Sequence, residues 1–221
     1  MSKLKKIITT LHTSTKRNFI SRMNDEKIKC MKKAKKFGYE YWDGNRRFGY
    51  GGYKYMPGRW SLAAKKIIKT YNLKSNSKIL DVGCGKGFLL KEIKNILPNI
   101  YIRGFDISKY ALKKAHTDIK KTLFYHDARK KFPFKKKYFD LVISINTLHN
   151  LNIGDLSLAL KECERVSRKK YIAVESYRNE EELFNLQCWA LTCKSFLSTV
   201  EWKWIFRNSN YKGDFEFIYF N

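Results

Sequence analysis

Residues 79–90 read ILDVGCGKGFLL, an apolar run that carries Asp81 and passes at once into Gly83, Gly85 and Gly87 before a second apolar stretch. This strand–glycine–helix junction constrains the fold more than any other segment. Glycine permits positive φ and close backbone approach to a ligand, and the helix that follows presents free N–H donors. The spacing excludes two phosphate-binding loops: G-x-G-x-x-G would need glycine where Phe88 stands, and G-x-x-x-x-G-K-[ST] is absent. The acidic residue ahead of the glycines points to a ligand bearing an amine or a sulfonium rather than a pyrophosphate.

Around this junction, short apolar runs alternate with helical periodicity, the pattern of a parallel sheet with crossover helices. Strands are predicted over residues 78–83, 101–106, 122–127, 139–146 and 171–176. Helices are predicted over 88–97, over SKYALKKAHTDI, and near 155–167 and 180–196. Leu62, Ala63, Ile67, Ile68 and Tyr71 recur at helical spacing just upstream of the first strand. VEWKWIF and FEFIYF, separated by RNSNYKGD with no crossover helix between them, predict an antiparallel terminal hairpin. The expectation is an α/β fold with a seven-stranded sheet, mostly parallel with an antiparallel C-terminal strand, and helices on both faces. Residues 41–221 are expected to form the domain and residues 1–40 a basic helical extension, in which Ile20, Met23, Ile28 and Met31 carry a weak helical period.

The chain of 221 residues has 46 Lys+Arg against 20 Asp+Glu, a net charge of +26, which raises a nucleic-acid partner as a possibility. Lysine supplies 35 of those cations and is scattered along the chain. Arginine, the better bidentate reader of phosphate and guanine, is the minor component. The five cysteines form no C-x-x-C pair and have no histidine at zinc spacing, so reduced thiols and no metal site are expected. No apolar run approaches the length of a membrane span and no secretory leader is evident, which predicts a cytoplasmic protein. Nothing in the sequence specifies an oligomeric state.

From about residue 40 onward the chain resembles the class I S-adenosylmethionine-dependent methyltransferases, a resemblance carried by four motifs in order. Asp81, Gly83, Cys84 and Gly85 match the first; Asp106 in GFDIS, Asp127 in YHDAR and the strand FDLVISINTLHNL match the next three. The resemblance implies a Rossmann-like sheet and S-adenosyl-L-methionine as cofactor. Asp106 is then the ribose ligand, because two hydroxyls suit one carboxylate. Asp127, with Ala128 and Ile107, faces the adenine. Asp81 and the backbone at Gly83, Cys84 and Gly85 meet the amino group and sulfonium, with Asn146 at the end of the fourth strand. The competing reading of strand-end aspartates as helix caps is respectable for any one of them. Three at one sheet edge favour a ligand.

His149, after the fourth strand, is the candidate catalytic residue, as base or orienting group, against a role in capping the next helix. Glu175, Tyr177 and Arg178 end the fifth strand at the same rim. Arg178 is a candidate clamp for an anionic substrate group, with a surface pair to Glu180 or Glu181 as the alternative. FGYGGYKYMPGRW, at residues 48–60, packs four glycines and five aromatic rings into thirteen residues. Its place before the helix beside the glycine loop makes residues 44–60 a candidate lid, with Tyr50, Tyr55 and Arg59 toward substrate.

Within the superfamily, YWDGNRRFGYGGYKYMPGRW, VESYRNEEELFNLQCWALTC and GDFEFIYF resemble a narrower group associated with loci for bacterial cell-surface carbohydrates, including capsular phosphoramidate groups. That resemblance implies a small polar acceptor methylated on oxygen or nitrogen. RNA or protein is the alternative acceptor, weakened by the absence of an N/D-P-P-[YF] signature where Asn146-Thr147-Leu148-His149 stands.

Overall fold

Alternate residues along each central strand enter opposite apolar layers, so the sheet is covered on both faces. The computed structural model describes residues 2–13, 16–51 and 53–221; Gly52, within the expected lid, lies outside them. Four short helices come first: α1 (Thr9–Thr13), α2 (Phe19–Asn24), α3 (Lys27–Ala34) and α4 (Tyr39–Trp42). They are followed by α5 (Ser61–Tyr71), β1 (Lys78–Val82), α6 (Phe88–Ile96), β2 (Tyr101–Asp106), α7 (Lys109–Lys113), α8 (Thr117–Lys120) and β3 (Leu123–Tyr125). The chain ends with β4 (Phe139–Ile145), α9 (Ile153–Val166), β5 (Ser167–Glu175), α10 (Glu180–Trp189), α11 (Thr199–Asn208) and β6 (Asp214–Ile218).

Among the described residues the sheet has six strands in the order β3-β2-β1-β4-β5-β6, and every neighbouring pair is parallel. Ile79, Leu141, Ile143, Tyr171 and Ala173 pack toward α5, α6 and α10. Leu80, Val82, Val142, Ile172 and Val174 pack toward α9 and α11. The chain runs outward from β1 to β3 and returns to place β4 beside β1. Strand order therefore reverses between β1 and β4, and at such a point the carboxyl ends of the strands open a crevice.

The expected seventh strand and antiparallel hairpin are corrected by α11. VEWKWIF alternates like a strand, yet Trp202, Ile205 and Phe206 lie one helical turn apart and all three are buried, whereas Trp204 is 53% exposed. Ser198 and Glu201 form a reciprocal capping box at its start. The helix is a crossover, and a crossover returns the chain parallel to β5.

The first residues join the sheet rather than extending away from it. Leu4 makes a parallel bridge to Phe215 on the outer side of β6. The carboxylate of Glu216, buried at 1% exposure, accepts the N–H groups of Ile7 (2.5 Å), Ile8 (3.0 Å) and Thr9 (2.7 Å), and the hydroxyls of Thr9 and Tyr171. A carboxylate at free N–H groups of a helix start is favourable through charge and hydrogen bonding together. In the basic arm, the face turned inward is Arg22, Cys30 and Ala34, whereas Ile20, Met23 and Ile28 are exposed. Arg22 is buried because its guanidinium donates to the carbonyls of Arg46 (3.0 Å), Arg47 (3.3 Å) and Gly49 (2.6 Å). Each buried donor left unpaired costs about 1–3 kcal/mol. Urea denaturation of Glu216→Ala is therefore expected to show a loss of about 3 kcal/mol or more, against a change within about 0.5 kcal/mol for exposed Trp204→Ala; equal stability of the two variants would contradict the anchoring role.

Candidate active site

The glycine loop is held open by its own backbone. Gly83 and Gly85 adopt φ of 77° and 54°. A Cβ at Gly83 would meet Thr147 Oγ1 at 2.2 Å, and one at Gly85 would meet the Trp42 ring at 2.7 Å. The N–H groups of Gly83 and Cys84 donate to the Phe105 carbonyl (2.9 and 3.0 Å), and that of Gly85 donates to Asp106 Oδ2 (2.8 Å). The second Asp106 oxygen accepts the Ser108 N–H at 2.7 Å. The end of β2 thus fixes the loop that follows β1.

Above the loop lies a cavity of about 630 Å³. Asp81, Gly83, Cys84, Gly85, Asp106, Ile107, Asp127, Ala128, Asn146 and His149 all line it, so it brings together the candidate residues of the first four strands. Burial first, and the neighbouring Asp106 carboxylate second, push the Asp81 carboxyl up to about 8. Asp106 is also raised by burial, against the pull of its backbone donors. Asp127 is instead lowered by the side chain of Arg129, whose Nε and Nη2 reach its oxygens at 2.9 and 2.5 Å.

The rest of the wall comes from the N-terminal residues. Trp42 Nε1 donates to Ser108 Oγ (2.8 Å), and buried Lys86 joins the glycine loop to Asp43 Oδ1 (2.6 Å) and the Tyr53 carbonyl (3.0 Å). Tyr50 lines the cavity, its hydroxyl accepting the N–H groups of Leu191 (2.7 Å) and Thr192 (3.2 Å). Arg59 lies exposed at the mouth. Tyr55 is placed elsewhere: its hydroxyl donates to Glu92 at 2.8 Å and its ring packs on Phe88 and His116. Tyr177 and Arg178 also stay outside, Tyr177 on Glu201, and Arg178 paired with Glu182 and stacked 4.2 Å over Tyr219. Each of these three is held away from the cavity by a nearby carboxylate that strand-level reading does not reveal.

Arg17 and the strand-end acid Glu175 complete the lining beside His149. Arg17 lines the cavity from the N-terminal arm, a placement with no local sequence signal. Glu175, at the carboxyl end of β5, lines it with 8% exposure, and burial raises its carboxyl to about 7 against the opposing charge of Arg17. His149 Nδ1 accepts the Glu175 N–H at 3.2 Å, while Nε2 lies 3.4 Å from Glu175 Oε2. Burial lowers the imidazole to about 3, so this contact joins a neutral ring to a carboxyl group rather than two full charges. Of the three residues read at the end of the fifth strand, Glu175 lines the cavity and Tyr177 and Arg178 do not.

Residues 73–210, more than half of the chain, match the family described as Methyltransferase domain. The chain belongs to the class I S-adenosylmethionine-dependent methyltransferases. A ubiquinone biosynthesis O-methyltransferase of Pelagibacter ubique is 28% identical to it over 159 residues, covering 68% of this chain and 64% of that protein. The mouse mitochondrial arginine-hydroxylase NDUFAF5 is 32% identical over 111 residues, covering 49% of this chain and 31% of that protein. The methyltransferase thus spans less than two thirds of the length of either curated relative. A methyltransferase structure from Aquifex aeolicus shares the fold, with a TM-score of 0.51 at 20% identity over 70% of this chain and 83% of that one.

The cavity of this methyltransferase suits that cofactor. Asp81 is buried beside a second carboxylate with no donor reaching it among the described residues, an arrangement that calls for a cation. Asp81 and Glu175 both have folded values above the ordinary carboxylate range near 4. The native state therefore holds protons that the unfolded chain has released, and stability falls as pH rises from about 4 to about 8. Denaturation followed across that range should show the decline, and the double variant Asp81→Asn, Glu175→Gln should flatten it; a wild-type slope in the variant would contradict the assignment.

Proposed function

We propose that the protein transfers a methyl group to an oxygen or nitrogen of a small polar acceptor, with a sugar or a phosphorylated or phosphoramidate precursor of surface polysaccharide as the acceptor class. The observation that carries this reading is a cavity whose lining combines buried carboxylates with cations. Asp81, Asp106 and Asp127 lie at the sheet edge, and Lys35, Lys36, Arg59 and Lys194 add cations to the lining. The carboxylates suit the amino group and hydroxyls of the cofactor, and the cations suit a polar or anionic acceptor. The likeness of the segments around residues 41–60 and 174–193 to the surface-carbohydrate group supports the narrower class. Five free cysteines suit a reducing compartment, and we place the activity in the cytoplasm.

When bound, the cofactor supplies a methyl group on an electron-poor sulfonium. Asp106 holds the ribose hydroxyls while retaining its bond to Gly85. Asp81 faces the amino group, with the loop of Gly83, Cys84 and Gly85 and the backbone at Asn146 alongside. Ile107 and Ala128 flank the adenine, with Asp127 shared between it and Arg129. Trp42, Tyr50 and Tyr53 cover the crevice and exclude water, so the reactants are held aligned in a low-dielectric space. His149 orients groups at the acceptor end, and Arg59 meets the acceptor at the mouth. Tyr55, Tyr177 and Arg178 have no place in this arrangement.

RNA or protein remains the second reading, favoured by the net charge of +26. Incubation with methyl-labelled cofactor and fractionated cell extract should label the low-molecular-weight fraction with little dependence on salt. Label confined to RNA or protein would overturn the acceptor class. Calorimetry with S-adenosylhomocysteine should show at least a 100-fold loss of affinity in Asp106→Ala, and wild-type affinity there would remove the ribose assignment. Because the ligand's ammonium favours ionised Asp81, binding should release a proton below about pH 8 and tighten as pH rises toward that value. In Asp81→Asn that dependence should vanish, and its persistence would contradict the pairing.

A further inference from the structure

We infer that the carboxylate of Glu175 is the proton acceptor of the reaction, that His149 is a positioning residue for it, and that the methyl acceptor is consequently a hydroxyl group. This rests on the methyl-transfer reading above and extends it to the reacting atom.

Available lone pairs single out the base. His149 stands where a base is expected, yet Nδ1 already accepts the Glu175 N–H at 3.2 Å. Its proton is therefore on Nε2, and a neutral ring in that tautomer has no basic nitrogen left to offer. His12, also on the lining, is spent in the same way: Nε2 lies 3.1 Å from the Tyr219 carbonyl and Nδ1 3.2 Å from Arg17 Nη2. Asp81 and Asp106 lie at the cofactor end, and Asp127 is held by Arg129. Glu175 is different: its carboxylate lines the cavity, and its buried Oε2 makes no hydrogen bond among the described residues, His149 Nε2 standing off at 3.4 Å. Asn150 Oδ1 and His126 Nε2, also on the lining, are buried and unpartnered too, but an amide oxygen is no base and His126 adjoins Asp127 at the adenine side; the open carboxylate oxygen beside His149 needs a donor, and an acceptor hydroxyl supplies one.

The surroundings hold that carboxylate in place. Its backbone carbonyl accepts the Trp202 indole N–H at 3.0 Å, and its backbone N–H is tied to His149. The groups that face it are Arg17 from the N-terminal arm, His149 from the turn after β4, Tyr50 from the lid segment and Cys193 from the stretch after α10. Arg17 is the cation among them, and the Tyr50 and Cys193 side chains are both held neutral by burial. The carboxyl is consequently poised near neutrality, where a general base is most effective.

The step balances without a further reagent. A lone pair of the acceptor oxygen forms the new carbon–oxygen bond, the carbon–sulfur pair remains on sulfur, and the hydroxyl proton passes to Glu175 Oε2, from which it is lost to water after release. A carboxylate acceptor carries no proton to remove, and a neutral amine can attack before losing one, so a buried base of this kind is matched to a hydroxyl.

The test begins with a readout independent of turnover. Protein carrying carboxyl-13C glutamate, saturated with S-adenosylhomocysteine, should show one resonance titrating between about pH 6 and 8, absent in Glu175→Gln. In Glu175→Gln, S-adenosylhomocysteine affinity should stay within about 3-fold of wild type. Labelling of the low-molecular-weight extract fraction should fall about 100- to 10,000-fold, with loss of the acid limb of the pH profile. His149→Asn should keep part of the turnover and move the midpoint of both the resonance and the limb. No glutamate titrating in that window, or wild-type turnover and limb in Glu175→Gln, would overturn the assignment. Failure of the wild-type protein to bind S-adenosylhomocysteine would contradict the cofactor reading instead, and the titration would still decide the state of Glu175.

Discussion

The parallel run of all six strands is the constraint on which the rest depends, because it collects every strand's carboxyl end on one edge of the sheet. Three of those ends carry buried acids: Asp81 in β1, Asp106 in β2 and Glu175 in β5. Negative groups so close together are costly in the absence of cations or donors. Asp106 offsets that cost with the N–H groups of Gly85 and Ser108. Asp81 and Glu175 have no such backbone donors among the described residues and shift toward their neutral forms, Glu175 against the charge of Arg17. Such groups depart from what packing alone would select, and ligand chemistry accounts for the departure.

The N-terminal sixty residues turn that open edge into a walled space. Glu216 ties Ile7, Ile8 and Thr9 to β6, Arg22 draws in the carbonyls of residues 46–49, and Lys86 couples Asp43 to the glycine loop. Buried charges make all three attachments. An arm fastened by hydrogen-bonded ions has stricter geometric requirements than one fastened by apolar contact, because a displaced partner leaves a charge uncompensated. Trp42, Tyr50 and Tyr53 from this arm line the same cavity as Glu175 and His149.

The parts legible in the sequence are those whose geometry is local. Glycine at 83 and 85 answers a positive φ, and an aspartate at a strand end faces the crevice wherever the strands are parallel. The orientation of β6 was hidden because Val200, Trp202, Trp204 and Phe206 alternate like a strand while Trp202, Ile205 and Phe206 repeat like a helix. Ser198 and Glu201, the capping pair, are the residues that separate the two patterns. The weak apolar period of α2 and α3 does not reveal which face turns inward. Arg22 goes in because three carbonyls satisfy it, and Ile20 and Ile28 stay out. Position along the chain directs Tyr55 and Arg178 toward substrate, but Glu92 and Glu182, each on a helix turn nearby in space, hold them elsewhere.

A crystal structure of the protein with S-adenosylhomocysteine tests the central claim most directly. The account predicts ribose hydroxyls within hydrogen-bonding distance of Asp106, the ammonium beside Asp81, the adenine between Ile107 and Ala128, and the sulfur facing the space before Glu175. A ligand bound outside this cavity, or one bound in it with its ribose away from Asp106 and its sulfur turned from Glu175, would contradict it.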